Sequence, residues 1–317
     1  MATKQPSTTV IMHLSVDHLG IDRLKELFPN VSFVIVDPSE PIDANLQGEV
    51  LVTGGGDPSN LAEILTRGVK WIHCPGHGVD NLPLELVGTR LLTCARGATA
   101  IPIAEWVMAM LLSAIKRLPY SWSKTPPPHW YLSNLDTLQD ATVALIGYGS
   151  INQAVAYRLA PFGCKIIATR RSNMPVEEHN VEVVSNWETA VADADHVVIG
   201  VPATPATTRM VDTRFLSACK NGAHIVNVAR GAIIDQDALR NALDLGQIGL
   251  ASLDVCEPEP LPEGHWLYQH PSVRLSPHLS WSSPYSLNQI AENFSANLER
   301  WLNNRPLANL VDVNAGY

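Results

Sequence analysis

No CxxC pair occurs among the five cysteines, which stand apart at positions 74, 94, 164, 219 and 256. Such spacing suggests neither a disulfide framework nor a zinc site, and no metal centre is expected. Positive charge is also scarce: 22 Lys and Arg face 31 Asp and Glu, a formal charge of −9. An extended nucleic acid would find no matching surface for its phosphates, so no nucleic-acid partner is expected. A few local cations could still hold a small anion. The opening MATKQPSTTV lacks an apolar signal core. The longest apolar stretch, 101–115, is short for a bilayer and carries Glu105, so no membrane partner is expected. A soluble, cytoplasmic protein of a reducing compartment is the expectation. Internal repeats and low-complexity segments are missing as well. What remains is a chain of 317 residues, 46% hydrophobic, large enough for two domains with separate cores.

Strand-like and helix-like segments alternate along it. Short apolar runs at 9–14, 32–36, 49–53 and 70–74 are interleaved with helical spacing at 21–28 and 61–66. This rhythm predicts a parallel sheet covered by helices. A long apolar helix is predicted over 103–117. Beyond it lie Tyr120, Trp122, Pro126-Pro127-Pro128, Trp130 and Tyr131, where the proline run ends any helix. The rhythm restarts with strands at 142–146, 165–169, 196–199, 223–228, 249–253 and 273–275, and a long helix at 284–302 closes it. The stretch from Arg305 to Tyr317 has no helical period.

The sharpest local signal is Gly147-Tyr148-Gly149-Ser150-Ile151-Asn152, set between a buried strand and a helix. Gly147 allows the tight turn, and Gly149 lets the main chain approach a pyrophosphate held on the free N–H groups of the helix start. Asn152 replaces the usual third glycine, which calls for a local adjustment. An ordinary β-α turn would look similar. The next strand ends in Arg170-Arg171-Ser172, where an NAD site usually has an acid. Two guanidinium groups would clasp a 2′-phosphate, so NADP(H) is preferred, with NAD(H) possible. A solvated basic pair is the plainer alternative.

Three further segments carry candidate chemistry. Val228-Ala229-Arg230-Gly231 follows a strand; Asp254-Val-Cys-Glu257-Pro-Glu259-Pro260 follows another; Ser276-Pro277-His278 follows a third. Singly, Arg230 could be a structural ion pair, Glu259 a loop acid and His278 a satisfied strand-end histidine. In this order, behind this glycine turn, they resemble the D-isomer-specific 2-hydroxyacid dehydrogenase family. The likeness extends to Lys70-Trp-Ile, Gly76-His77-Gly78-Val-Asp-Asn81, Ala104-Glu105, Val201-Pro202-Ala-Thr204-Pro-Ala-Thr207 and the closing Val311-Asp to Gly316-Tyr317.

The resemblance implies an α/β chain of two parallel-sheet domains, Rossmann-like and flavodoxin-like, with an interdomain cleft. Residues 1–101 with 283–317 would form the substrate domain and 102–282 the dinucleotide-binding domain. Arg230, Glu259 and His278 match the catalytic residues, and Asp254 the residue facing the nicotinamide amide. Gly147 to Ile151, Arg170, Arg171, Val201, Pro202, Thr207, Val228 and Ala229 are the other candidate cofactor contacts. Gly54, Gly55, His77 and Gly78 match loops whose backbone N–H groups hold a carboxylate, where glycine allows close approach. Trp281 could narrow the pocket, and Arg96 is either an anion contact or structural. The chemistry suits these residue types. Arg230 can grip a carboxylate and carbonyl oxygen, His278 can act as general acid, and Glu259 can pair with its ring. Glutamate rather than glutamine at 259 disfavours the formate-oxidising branch. Neither glycine loop offers a cation beyond Lys70, so a small unphosphorylated 2-keto acid of the glyoxylate or hydroxypyruvate type is expected, reduced by NADPH. The resemblance also implies a homodimer, with the helix at 103–117 near the contact or simply buried. Two alternatives stay open: a cofactor-dependent corepressor-like binding protein without turnover, and oxidation of another small anion such as phosphite.

Overall fold

The computed structural model describes residues 8–14, 19–54, 60–130, 134–171 and 181–317. The chain divides into two compact units, 1–99 with 282–317, and 100–281. Each is built on a wholly parallel sheet.

In the first unit the strands are β1 (Thr8–His13), β2 (Val31–Val36), β3 (Val50–Thr53), β4 (Trp71–Cys74) and β5 (Leu91–Cys94), in the order β2-β1-β3-β4-β5. Helix α1 (Ile21–Leu27) links β1 to β2, and α2 (Leu61–Leu65) links β3 to β4. β3 and β4 are buried along their whole length, as expected for parallel strands covered on both faces. Trp71 fills the centre of one face. Its ring stacks on Phe294, 5.8 Å between centroids, and packs against Trp301. Beside it His73 is fully buried, 2.9 Å from the Thr93 hydroxyl, which also accepts from Trp71 Nε1. The chain end adds an antiparallel bridge from Leu310 to Thr93.

The second unit opens with α3 (Ala100–Ile115). Its strands are β6 (Thr142–Ile146), β7 (Lys165–Thr169), β8 (Val181–Val184), β9 (His196–Ile199), β10 (Ala223–Asn227), β11 (Ile248–Leu253) and β12 (Val273–Leu275). Their order is β12-β11-β10-β9-β6-β7-β8. Helix α4 (Ser150–Leu159) follows β6, and α3 and α4 cover one face over Val143, Leu145, Val198 and Val226. Helices α5 (Trp187–Val191), α6 (Thr213–Ala218) and α7 (Gln236–Asp244) cover the other, with Trp187 stacked on Phe215 at 4.7 Å. The helix starts are capped from the sequence itself. Asn186 accepts from Thr189 N–H, Asp212 from Phe215 N–H and Asp235 from Ala238 N–H. Helix α8 (Pro284–Leu302), capped by Ser283, belongs to the first unit. At the far end of α3, Arg274 of β12 donates to Ser113 Oγ (2.7 Å) and to the Leu118 carbonyl (3.2 Å). Beyond that anchor Tyr120, Trp122 and Trp130 are largely exposed.

Sheet order reverses between β6 and β9. The chain winds one way through β7 and β8 and the other way through β10 to β12. Ligands of open parallel sheets lie at such a switch point, outside the carboxyl ends of the strands.

Polar groups also cross the sheet interior. His196 and His224 pair through their Nδ1 atoms at 3.2 Å, and His224 Nε2 lies 2.9 Å from Ser252 Oγ. Burial lowers the His196 pKa to about 4 against the opposing pull of Asp195, and pushes His224 well below its ordinary value. Burial alone lowers His73 to about 3. The folded chain keeps these rings neutral while the unfolded chain protonates them below about pH 6.5. Unfolding therefore takes up protons, and stability falls as pH drops from about 6.5 towards the folded values. Each ring contributes to that loss, because each takes up on unfolding a proton that it lacks in the fold. Urea midpoints for both units should drop between pH 7.5 and 5; unchanged midpoints would contradict neutral burial.

Candidate active site

The turn after β6 is held by a steric need. Gly147 has φ +83°, and a Cβ there would come 2.7 Å from Val201 Cγ1 and 3.0 Å from the Gly200 carbonyl oxygen. Its N–H donates to Thr169 Oγ1 at 2.9 Å, tying the turn to the end of β7. Arg170, half-buried, and Arg171, exposed, follow directly; Ser172 lies outside the described residues. Gly149 caps α4, and a Cβ on it would meet nothing within 4 Å. Ser150 opens the helix with its Oγ buried and without a hydrogen-bond partner. Tyr148 is buried and Ile151 packs into the α3–α4 core.

Asn152 is fully buried and donates from Nδ2 to the Gly147 carbonyl at 2.6 Å. It lies over Gly200, where a Cβ would come 2.5 Å from that Nδ2. The small residue needed for close packing has thus moved to the end of β9, and Gly200 supplies the adjustment that Asn152 requires. Half-buried Val201 and exposed Pro202 follow, and Thr207 Oγ1 closes their loop on the Pro202 carbonyl at 2.6 Å. Val228 and Ala229 are buried at the end of β10. An open glycine, a free hydroxyl and unpaired N–H groups at a helix start fit the pyrophosphate of a dinucleotide.

Three adjacent strands deliver the candidate catalytic residues to the same edge. After β10, Asn227 braces the chain. Its Oδ1 accepts from Ala229 N–H (3.0 Å), and its Nδ2 donates to the Arg230 carbonyl (2.9 Å). Arg230 Nη1 donates to the Ala229 carbonyl at 2.7 Å. The next residue must be glycine, because a Cβ on Gly231 would overlap the main chain of Cys256. Cys256 N–H in turn donates to Glu259 Oε1 (3.1 Å), and Glu259 Oε2 accepts from His278 Nδ1 at 2.8 Å. Contact thus runs unbroken from the arginine loop through the acid to the imidazole. His278 and Glu259 keep 38% and 37% of their side-chain surface exposed, so this dyad is open to a reactant. Burial, then the carboxylates of Glu259 and Glu257, push the Cys256 thiol up to about 11, which keeps it protonated and poorly nucleophilic. His278 itself has φ +50°, and Trp281 Nε1 donates to its carbonyl. Asp254 is buried and accepts from Ser276 Oγ, Leu279 N–H and Ser280 N–H.

In the first unit Gly54 is exposed just after β3, while Gly55 and Gly56 lie outside the described residues. His77 and Gly78 are half-buried after β4. Gly97 N–H donates to His77 Nδ1 at 3.4 Å and Ala95 N–H to the Gly76 carbonyl at 3.0 Å. His13 Nε2 donates to Asn60 Oδ1 at 2.7 Å and its Nδ1 accepts from Thr53 Oγ1 at 3.1 Å, pinning both ends of the β3 loop. Arg96 is half-buried and near the Cys94 thiol. Among the described residues no group of three His, Cys, Asp or Glu could hold a metal, and no helix is long and apolar enough to cross a membrane.

Asn227, Gly200, His13 and Asn60 were not legible as site residues. Asn227 had one local signal, its place three residues before Arg230. The others act through partners distant in sequence.

The chain matches the family model described as D-isomer specific 2-hydroxyacid dehydrogenase, NAD binding domain, over residues 108–280. It is 32% identical over 250 residues to the human glyoxylate reductase/hydroxypyruvate reductase, covering 75% of this chain and 76% of the relative. A D-isomer specific 2-hydroxyacid dehydrogenase family protein from Aeromonas salmonicida superposes with a TM-score of 0.79 at 28% identity, covering 98% and 100% of the two chains. The NADPH-dependent glyoxylate/hydroxypyruvate reductase from Sinorhizobium meliloti, at 24% identity and a TM-score of 0.82 over 98% and 100%, shares the fold.

The Asn152–Gly200 contact predicts a specific coupling. Gly200→Ala should destabilise by about 1–3 kcal/mol through overpacking. In Asn152→Ala the same change should cost much less, and a double-mutant cycle by urea denaturation measures the difference. Additive effects would refute the packing exchange.

Proposed function

The chain belongs to the D-isomer-specific 2-hydroxyacid dehydrogenase family, and from that premise we propose that it is an NADPH-dependent reductase of a small 2-keto acid, glyoxylate or hydroxypyruvate in type, yielding the D-2-hydroxy acid. The observation that carries this reading is the 2.8 Å pair of His278 Nδ1 and Glu259 Oε2 at the sheet edge, joined through Cys256 to the Arg230 loop.

The bound nicotinamide supplies the hydride. The rest is the work of this chain's side chains. Arg230 offers a planar, permanently charged fork to the carboxylate and carbonyl oxygen of the acid. Glu259 holds the Nδ1 proton, which fixes the ring and leaves Nε2 to give a proton to the carbonyl oxygen. In the oxidative direction the same nitrogen takes that proton back. Gly147, Gly149 and the start of α4 hold the pyrophosphate, with Tyr148, Ser150 and Ile151 around it. Val201, Pro202, Thr207, Val228, Ala229 and Asp254 line the remainder. Arg170 and Arg171 bind the 2′-phosphate, so NADP(H) is preferred over NAD(H). The substrate contacts that the family resemblance implies in the first unit are Gly54, Gly55, His77 and Gly78. The exposed Tyr120, Trp122 and Trp130, rooted by Arg274 at the end of α3, support a homodimer. The cytoplasm is the compartment that suits a reductant-linked enzyme whose five scattered cysteines form no disulfide framework in the sequence.

Initial rates with NADPH and NADH across glyoxylate, hydroxypyruvate, pyruvate and an aryl-pyruvate test the assignment. Turnover should be fastest with NADPH and a small acid, and His278→Ala should lower kcat by about 10²–10⁴-fold. Tight cofactor binding without turnover would favour a binding protein instead. Replacing Arg170 and Arg171 by alanine should raise KM for NADPH and leave NADH little changed; equal effects on both would remove the basis for NADP(H) preference.

A further inference from the structure

Beyond the residues that meet reactants, the second unit contains a device that fixes where the imidazole stands. His278 adopts φ +50°, a left-handed backbone that is unfavourable for a non-glycine residue and persists only when its surroundings hold it. The neighbouring side chains do not explain that conformation. Glu259 fixes the ring, and Trp281 bonds the His278 carbonyl.

The main chain on both sides of His278 is gripped by one residue. The Asp254 carbonyl accepts His278 N–H at 2.8 Å, a donor shared with the Ser276 carbonyl at 3.0 Å. Its carboxylate accepts Ser276 Oγ at 2.6 Å and Leu279 N–H at 2.9 Å on Oδ1, and Ser280 N–H at 3.0 Å on Oδ2. Four donors from residues 276 to 280 therefore converge on a single aspartate that is 1% exposed. Hydrogen bonds from N–H groups to a carboxylate are among the stronger ones in proteins, and a buried site leaves water little chance to replace them. Asp254 is in turn fixed from behind, its own N–H donating to the Asn227 carbonyl at 3.0 Å, and Asn227 is the brace of the Arg230 loop.

We propose that Asp254 is a positioning residue for the reaction: through its four hydrogen bonds it holds the left-handed turn at His278 and so sets the ring against Glu259 and in line with Arg230. This rests on the function proposed above, and it gives Asp254 a task separate from any contact with the nicotinamide amide.

Asp254→Asn tests it on the full-length protein. An amide of the same size must turn an NH2 group towards a donor, so at least one bond is lost. A displacement of about 1 Å at a reacting group can lower the rate roughly 10²-fold, and a fall in kcat of that order is expected. Affinity for NADPH, measured by fluorescence titration, should stay close to that of the wild type in Ser276→Ala, which changes a residue outside the proposed cofactor contacts. The pH profile of kcat should change shape, and amide hydrogen exchange at Leu279 and Ser280 should become faster. Ser276→Ala removes one bond and nothing else near a ligand; it should lower kcat several-fold in the same sense, and it decides the matter should Asp254→Asn fail to fold. Loss of NADPH affinity in step with kcat, with exchange at Leu279 and Ser280 unchanged, would overturn the proposal, as would a Ser276→Ala enzyme with unaltered kcat. If the wild-type protein reduces no 2-keto acid, the proposed function fails. The exchange and cofactor measurements then still judge the positioning role: faster exchange with intact affinity supports it, and unchanged exchange overturns it.

Discussion

Two main-chain hydrogen bonds carry the architecture of the candidate catalytic edge: Asp254 N–H to Asn227 O, and His278 N–H to Asp254 O. They continue the parallel ladder past the ends of β10, β11 and β12, so three loops leave the sheet still in register. Side chains far apart in the sequence therefore share one edge before any of them contacts another. The Gly231–Cys256 approach then closes the space between the first two loops to main-chain contact, which excludes any larger residue at 231. Most of the site's precision comes from backbone geometry, and the side chains complete it.

The nucleotide turn obeys the same logic of exclusion. Gly147 faces Val201, and Asn152 faces Gly200, so the ends of β6 and β9 fit as paired large and small surfaces. In dense interiors a volume gained at one position must be given up at its neighbour. The amide at 152 also has a use that glycine lacks, since its Nδ2 satisfies the Gly147 carbonyl.

Much of this was legible from the chain alone, and the divide is physical. Strands buried on both faces read as unbroken apolar runs, which is why 142–146 coincides with β6. Arg230, Glu259 and His278 stood out through the resemblance of their segments, in this order, to the family; singly each had a structural alternative. Short or partly exposed elements carried weaker patterns. β5 (Leu91–Cys94) is half of a pairing with β4, β8 (Val181–Val184) is an edge strand with two exposed residues, and α5 and α6 span fewer than two turns. Gly200 and Asn227 look ordinary in the sequence because their meaning lies in what faces them across the sheet. Asp254 stands out in the sequence only through the resemblance; its four partners at 276–280 become visible when β11 and β12 lie side by side.

The split of the first unit has a consequence for biosynthesis. Phe294 and Leu298 of α8 are wholly buried in the core that Trp71 occupies, so residues 1–99 lack a wall of their own interior until the last helix is made. The inserted unit, 100–281, is contiguous and holds both of its helical layers within its own span. A ribosome releasing this chain amino terminus first thus completes the middle before the beginning. The core around Val10, Val50 and Val52, begun by Leu19, Ile21 and Leu24 of the opening segment, waits for Phe294 and Leu298, translated roughly two hundred residues later. In that interval the early sheet, unlike the inserted unit, has yet to receive part of its own core.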